Sequence, residues 1–408
     1  MTVTVFRDCA IFDGHERLDG RAVVVEGERI ADMVDNGASV VADQVIEAGG
    51  RTLMPGLIDA HYHAYTPSYD FYGIDRMPIP LMTSHAAKLL TGALQRGFTT
   101  VRDAAGADIG LWLSIEEGLI EGPRLFYCGK AMTQTGGHGD MRRRDYIEPC
   151  GCAYSGALTQ TVDGVDEMRR AVREEFRKGA HHIKVFVSGG VSTANAPLWM
   201  PHFSVEELSC AVEEAEKRRS YVMAHCHTDR GARLCLEVGI RSIEHGSEIH
   251  EHTAQMIAEA GVFVVPTLSA GHNIATYGSE LGLPTSALDK VKEVQESAVR
   301  SLETNARAGV KLGLGADLHG HRFHERQALE LVLRGEVQDS IDVLRSATSI
   351  NAEMLQMEGH LGVLAEGAYA DMILIDGDPF SDLSIFMEPQ QSMPLVMKGG
   401  RVIRNTLQ

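Results

Sequence analysis

Residues 221–246, YVMAHCHTDRGARLCLEVGIRSIEHG, decide the fold. The opening run YVMAHCH is short, apolar and closed by histidines, the signature of a strand that is covered on both faces. A helical pattern follows, and SIEHG at 242–246 begins a second short run that again ends on a histidine. Outward from this unit the same alternation extends from Pro55 to about residue 350. The other strand candidates are LIDAHYH ending at His63, TTVRDA at 99–104, RLFYCG at 124–129, HIKVFVS at 182–188, FVVPTL at 263–268 and VKLGLGAD ending at Asp317.

The helices between them carry their own signals. Ser204 with Glu207 makes a capping box ahead of EELSCAVEEAEKRR, and Gly97, Gly179 and Gly261 stand where helix C-termini favour glycine. Eight strand–helix alternations predict an α/β fold, a (β/α)8 TIM-like barrel with its active site at the C-terminal strand ends. The chain ends differ in texture: VTVFRDC, RAVVVEGERIADM with Gly27 at a turn and QVIEAGGRTLM at one end, and YADMILIDGDP and PLVMKGGRVIR at the other, read as short strands. The expected division is therefore a β-sandwich from residues 1–55 plus 355–408 and the barrel over 56–354.

Composition excludes several classes. A formal charge of −18 disfavours a phosphate-rich partner, so no nucleic acid is expected. No stretch approaches the roughly 20 apolar residues of a membrane helix, and MTVTVFRDCAIFDG lacks the pattern of a secretory leader, so a cytoplasmic protein without a membrane partner is expected. Seven cysteines, an odd number, do not form a disulfide framework. Cys150 and Cys152 form a lone CxC that is either a soft-metal or disulfide pair or simply part of a loop.

The strand ends carry the chemistry. His61 and His63 share one side of the first strand because alternate residues face the same way; an HxH is also what a hydrogen-bonded strand pair looks like. His225, His245 and Asp317 end three further strands and Lys184 lies within another, so candidate ligands from five strands would meet at one mouth. In IKVFV the Lys184 amine is desolvated and its charged form disfavoured. A neutral amine can add carbon dioxide, giving N6-carboxylysine able to bridge two divalent metal ions. The bland alternative is a snorkelling or acid-paired lysine. His61, His63 and Asp317 would hold one ion and His225 and His245 the other, with nitrogen and oxygen donors suiting zinc, manganese or cobalt, zinc first. Water activated between the ions would attack, with Asp317 as general base, unless Asp317 is only a helix cap.

The loop TGGHGD, Thr135–Asp140, brings His138 toward a developing oxyanion, or merely orders itself around a histidine. Its Gly137, together with Ser188 from the SGG turn, would line a substrate pocket through close backbone approach. Arg142, first of three arginines, would grip a substrate carboxylate if the run is not simply solvated.

PGLIDAHYH, AHHIKVFVSGG and GLGADLHG resemble the strand-one, carboxylated-lysine and strand-eight signatures of the amidohydrolase superfamily, and ATSINAEML with GVLAEGAYADMILID resembles its closing helix and return strand. TGGHGD with SIEHGSEI is similar to the binuclear branch of prolidase-like Xaa-Pro dipeptidases, Xaa-Arg/Lys carboxypeptidases and ochratoxinase-like amide hydrolases. The resemblance implies a dipeptide or other small-molecule substrate with a peptide-like amide bond, and a homo-oligomer as large as an octamer. Many dipeptidases of the branch carry tyrosine where this chain has His227, which opens the substrate range to xenobiotic amides and carbamates. Cyclic amides, esters and organophosphates would use the same ligands, and a metal-free binding protein is the reading from a different class.

Overall fold

A computed structural model describes residues 2–142, 156–193, 196–283 and 285–407. Cys150, Cys152 and two of the three arginines, Arg143 and Arg144, lie outside the described residues. The described cysteines Cys9, Cys128, Cys210, Cys226 and Cys235 are free and buried.

The middle of the chain is α/β with parallel strands. Leu57–Tyr62, Phe98–Asp103 and Arg124–Phe126 form one parallel sheet. Ile183–Phe186, Val222–Thr228, Ser242–Glu248, Phe263–Val265 and Lys311–Leu312 follow in order in a second. All eight expected strands are present, and two further short ones, Ala131–Thr133 and Thr159–Thr161, extend the second sheet beyond Ile183–Phe186. The first strand is buried along its whole length, as is Phe98–Asp103, which explains their unbroken apolar runs.

The expected strand 310–317 pairs as a ladder only over Lys311–Leu312. Beyond it, Ala60 N–H donates to the Leu314 carbonyl and Asp317 N–H to the His61 carbonyl, each at 2.8 Å, so this segment runs beside the first strand. Gly315 permits that approach: a Cβ there would stand 2.6 Å from His61 Cβ.

Helix signals in the sequence are realised. Ser204 Oγ accepts from Glu207 N–H while Glu207 Oε2 accepts from Ser204 N–H, closing the capping box. Gly97, Gly179 and Gly261 adopt φ of 84°, 90° and 66°, the left-handed region that ends a helix.

Strands from both chain ends meet. In a six-stranded sheet, Thr52–Pro55 pairs antiparallel with Met372–Ile375, placing Leu53 opposite Leu374. A four-stranded sheet contains Val3–Arg7, Arg21–Glu26, Arg29–Asp35 and Gln44–Glu47. Phe6, Val23, Leu53, Met372, Leu374 and Leu395 belong to one buried cluster shared by the two sheets. Burying each such side chain is worth about 1.5–3 kcal/mol. Among the described residues no helix is long and apolar enough to cross a membrane.

Candidate metal centre and catalytic site

Beneath the strand ends lies a buried ionic floor. Arg102 donates to Glu244 Oε1 at 2.9 Å, to Ser242 Oγ at 2.9 Å and to the Ala60 carbonyl at 2.7 Å, with both charged side chains fully buried. Burial alone would raise the Glu244 pKa, but Arg102 and the His61 ring outweigh it and hold the carboxyl at about 2. Glu244 Oε2 in turn lies 2.7 Å from His61 Nδ1, fixing that ring from below.

The same device recurs around the site. His245 Nδ1 meets Thr267 Oγ1 at 2.7 Å, His227 Nδ1 meets Ser247 Oγ at 3.0 Å, His319 Nδ1 meets Thr66 Oγ1 at 3.0 Å and His138 Nδ1 meets Thr193 Oγ1 at 2.5 Å. With Nδ1 tied in five rings, each keeps Nε2 for another partner, the arrangement by which outer hydrogen bonds orient ligating imidazoles. Burial, reinforced by neighbouring cations, lowers the pKa of His61 to about 4, as burial does chiefly for His227, and drives those of His138, His225 and His245 well below 6.5. These rings are neutral at pH 7, with lone pairs available.

The expected ligands do come together. His63 Nε2 lies 3.0 Å and His61 Nε2 3.5 Å from Asp317 Oδ1, and His245 Nε2 is 2.8 Å from His225 Nδ1. Three trios each place their donor atoms within 4.8 Å of one another: His225, His227 and His245; His61, His245 and Asp317; His63, Asp317 and His319. Burial disfavours the Asp317 carboxylate, but His61 and the hydrogen bond from His63 keep its pKa well below 3.8. Lys184 is buried and lines the same cavity, and burial lowers its pKa although Glu244 and Asp317 oppose the shift. His245, Thr267 and Asp317 hold positive φ of 73°, 52° and 49°, strained conformations of the kind that gather at functional sites.

His138 also lines the cavity, its ring tilted by 30° against that of His225 at 4.4 Å between centroids. A Cβ on Gly190 would sit 2.3 Å from His138 Nε2, so glycine there makes room for the ring. The turn that carries Thr193 is itself held by Lys290, whose Nζ donates to the carbonyls of Gly190, Thr193 and Ala196 at 2.9, 2.7 and 3.0 Å.

Three expected substrate contacts stand elsewhere. Arg142 presents its fork to Asp140 of its own loop, at 2.7 and 2.6 Å, and does not line the cavity. Gly137 shapes the turn, with its N–H on the Gln134 carbonyl, and Ser188 Oγ accepts from His227 N–H. Neither lines the cavity. His319, Thr267, Ser247 and Lys290 escaped the sequence reading; of these only His319, two residues after Asp317, had a visible signal. Tyr69 and Phe71 flank His319 at centroid distances of 5.3 and 5.0 Å.

An ochratoxinase of Aspergillus niger is 33% identical over 370 residues, covering 86% of this chain and 75% of that protein. The crystal structure of a prolidase complexed with N-methylphosphonate-L-proline is 40% identical with a TM-score of 0.95, covering 99% of this chain and 100% of the other. A Xaa-Pro dipeptidase with methionine bound in its active site is 27% identical with a TM-score of 0.88, covering 99% and 100%. The model of the amidohydrolase family matches residues 52–403, and the chain is a hydrolase that belongs to that family.

Proposed function

We propose that the protein is a binuclear metal-dependent hydrolase that cleaves a peptide-like amide bond of a dipeptide, an N-acyl amino acid or a related small amide. The observation that carries this reading is the cluster of buried imidazoles, His61 and His245 among them oriented through Nδ1, gathered with the Asp317 carboxylate in one cavity that the desolvated Lys184 amine also lines. In the proposed architecture the parallel strands of residues 56–354 close into an eight-stranded barrel, and residues 1–55 and 355–408 form the β-sandwich beside it.

The donors fit two divalent ions: three compact trios of buried nitrogen and oxygen donors share members, and His63 Nδ1 is a buried nitrogen with no partner among the described residues. His61, His63 and Asp317 would hold one ion and His225 and His245 the other, with Lys184, its amine joined to CO2 with loss of a proton, as the anionic link. When bound, such ions, zinc the first choice for these donors, supply Lewis acidity that acidifies water and polarises a carbonyl.

The chain's own residues do the remaining work. Asp317 is held ionised, so Oδ1 can accept the proton of the attacking water and deliver it to the leaving nitrogen. His138, with Thr193 at Nδ1, offers an Nε2–H to the substrate oxygen as negative charge develops there. His227 Nε2 is a second donor to that oxygen, in the place the resemblance gives to a tyrosine. The test is release of amino acid from N-acyl amino acid and dipeptide libraries before chelation, after it, and after zinc is restored. Turnover lost and regained supports the reading; turnover unaffected by complete metal removal refutes it.

A further inference from the structure

The cavity of about 220 Å³ that contains the histidines has a second end. Beside Thr267, the partner of His245, it runs between helix Leu268–Tyr277 and helix Thr285–Arg307. Its walls there are mainly apolar, Gly271 and Ile274 on the first helix and Val291, Val294 and Ala298 on the second, with His272 and Gln295 as the polar residues that these helices add to the lining. Glu336 stands among the residues lining this end. Gly271 lies in a helix interior, where glycine costs about 0.5–1 kcal/mol relative to alanine. Its φ is not positive, and an added Cβ would meet only Val291 Cγ2, at 3.9 Å. Backbone conformation therefore does not require glycine; what the missing side chain provides is open space across from Val291.

The charge pattern is as specific as the shape. Among the described residues that line the cavity, Lys184, at the histidine end, is the sole amine or guanidinium. An anionic group buried against Ile274, Val291 and Val294 would lose its water with no lysine or arginine beside it, and the exposed Glu336 carboxylate in the lining would repel it.

We propose that this apolar channel binds an uncharged, extended hydrocarbon chain attached to the scissile amide, making alkyl-chain amides the preferred substrate class. The inference rests on the amide-hydrolase reading above. Hydrolysis breaks the C–N bond, adds the oxygen of water to the acyl carbon, and transfers a proton to the departing amine.

The test is a chain-length series run in two arms on the zinc-loaded enzyme: N-acyl phenylalanines from acetyl to octanoyl, and acetamides of linear amines from ethyl to octyl. The channel predicts that kcat/KM rises about fourfold per added methylene in one arm, as burial of a CH2 implies, and that an acyl chain ending in carboxylate reacts at least tenfold more slowly than its methyl counterpart. Gly271→Leu should flatten the length dependence while acetyl substrates stay within about twofold of wild type, and Gly271→Ala should keep it. Ala298→Leu is a second block from the facing helix, with thermal melts confirming that both variants fold. Short amides hydrolysed with no length dependence in either arm would overturn the channel and leave the hydrolase reading intact. If no amide reacts, that reading fails, and calorimetry with octanamide decides the channel: binding abolished by Gly271→Leu upholds it, and no binding to wild type overturns it.

Discussion

The two ends of the cavity contrast in how they are made. The histidine end is built from strand tips, where several rings are locked by named hydrogen bonds: His61 by Glu244, His245 by Thr267, His138 by Thr193. The helix-lined end is built mainly from small and branched apolar residues, with His272, Gln295 and Glu336 as its few polar members. Precision at one end comes from directional bonds, and tolerance at the other comes from non-directional burial. Substitutions at the first should therefore act through kcat and metal content, and at the second through preference among substrates.

The largest effect is expected for the groups at the centre of the polar end. Lys184→Ala and Asp317→Ala should each lower turnover by roughly 10⁴ or more, as loss of a member of a catalytic unit does. The lysine variant should recover partly with added short carboxylic acids; full activity in Lys184→Ala would rule out a bridging role. Removing one partner of the buried pair beneath them, Arg102→Ala, strands Glu244 and should destabilise the fold by about 3–5 kcal/mol, measured as a shift in urea midpoint. An unchanged midpoint would mean that the histidine end does not depend on its ionic floor. His138→Asn should reduce kcat by about 10²–10³ if the ring serves the oxyanion; a change confined to KM would assign it to ground-state binding instead.

How much of this contrast could be read in the sequence follows from its physics. His61, His63, His225, His245 and Asp317 were visible because each closes an apolar run that must be a strand, and Lys184 because a cation inside such a run is conspicuous. Their hydrogen-bond partners were not, since Thr267, Ser247 and Thr193 are ordinary loop or strand-end residues until tertiary structure brings rings to them. Arg142 misled for a related reason: a guanidinium looks free in a sequence, whereas Asp140 two residues earlier already occupies it. The channel left no trace, because valines and alanines spaced along Thr285–Arg307 are indistinguishable from any helix face turned to a core. Ala131–Thr133 and Thr159–Thr161 were missed because a three-residue strand is too short to show a period.

The smallest effect sharpens the comparison from outside the cavity. Away from the cavity, the Glu214 carboxylate is itself buried but is covered by solvent-exposed or part-exposed cations, receiving Arg169, Arg173 and Lys217 at 2.6, 2.8 and 3.0 Å. The hydrogen bond from Arg173 outweighs desolvation and, with the other two, lowers its pKa from 4.5 to about 2. A depressed carboxyl contributes stability above its unfolded pKa, so this contribution is present above pH 4.5 and lost as pH falls toward 2. Glu214→Gln should cost no more than about 1 kcal/mol at pH 7, as exposed partners allow, and the difference from wild type should vanish near pH 2. A penalty as large as that of Arg102→Ala would erase the distinction between a pair buried on both sides and one whose cations stay in solvent.

The most direct test of the central claim is metal content by mass spectrometry on wild type and His245→Ala, each reconstituted with zinc and assayed for amide hydrolysis. Convergence of the strand tips on a pair of cations predicts about two ions per wild-type chain, with loss of at least one ion and of turnover in the variant. A wild-type chain that hydrolyses amides while holding no metal would contradict it.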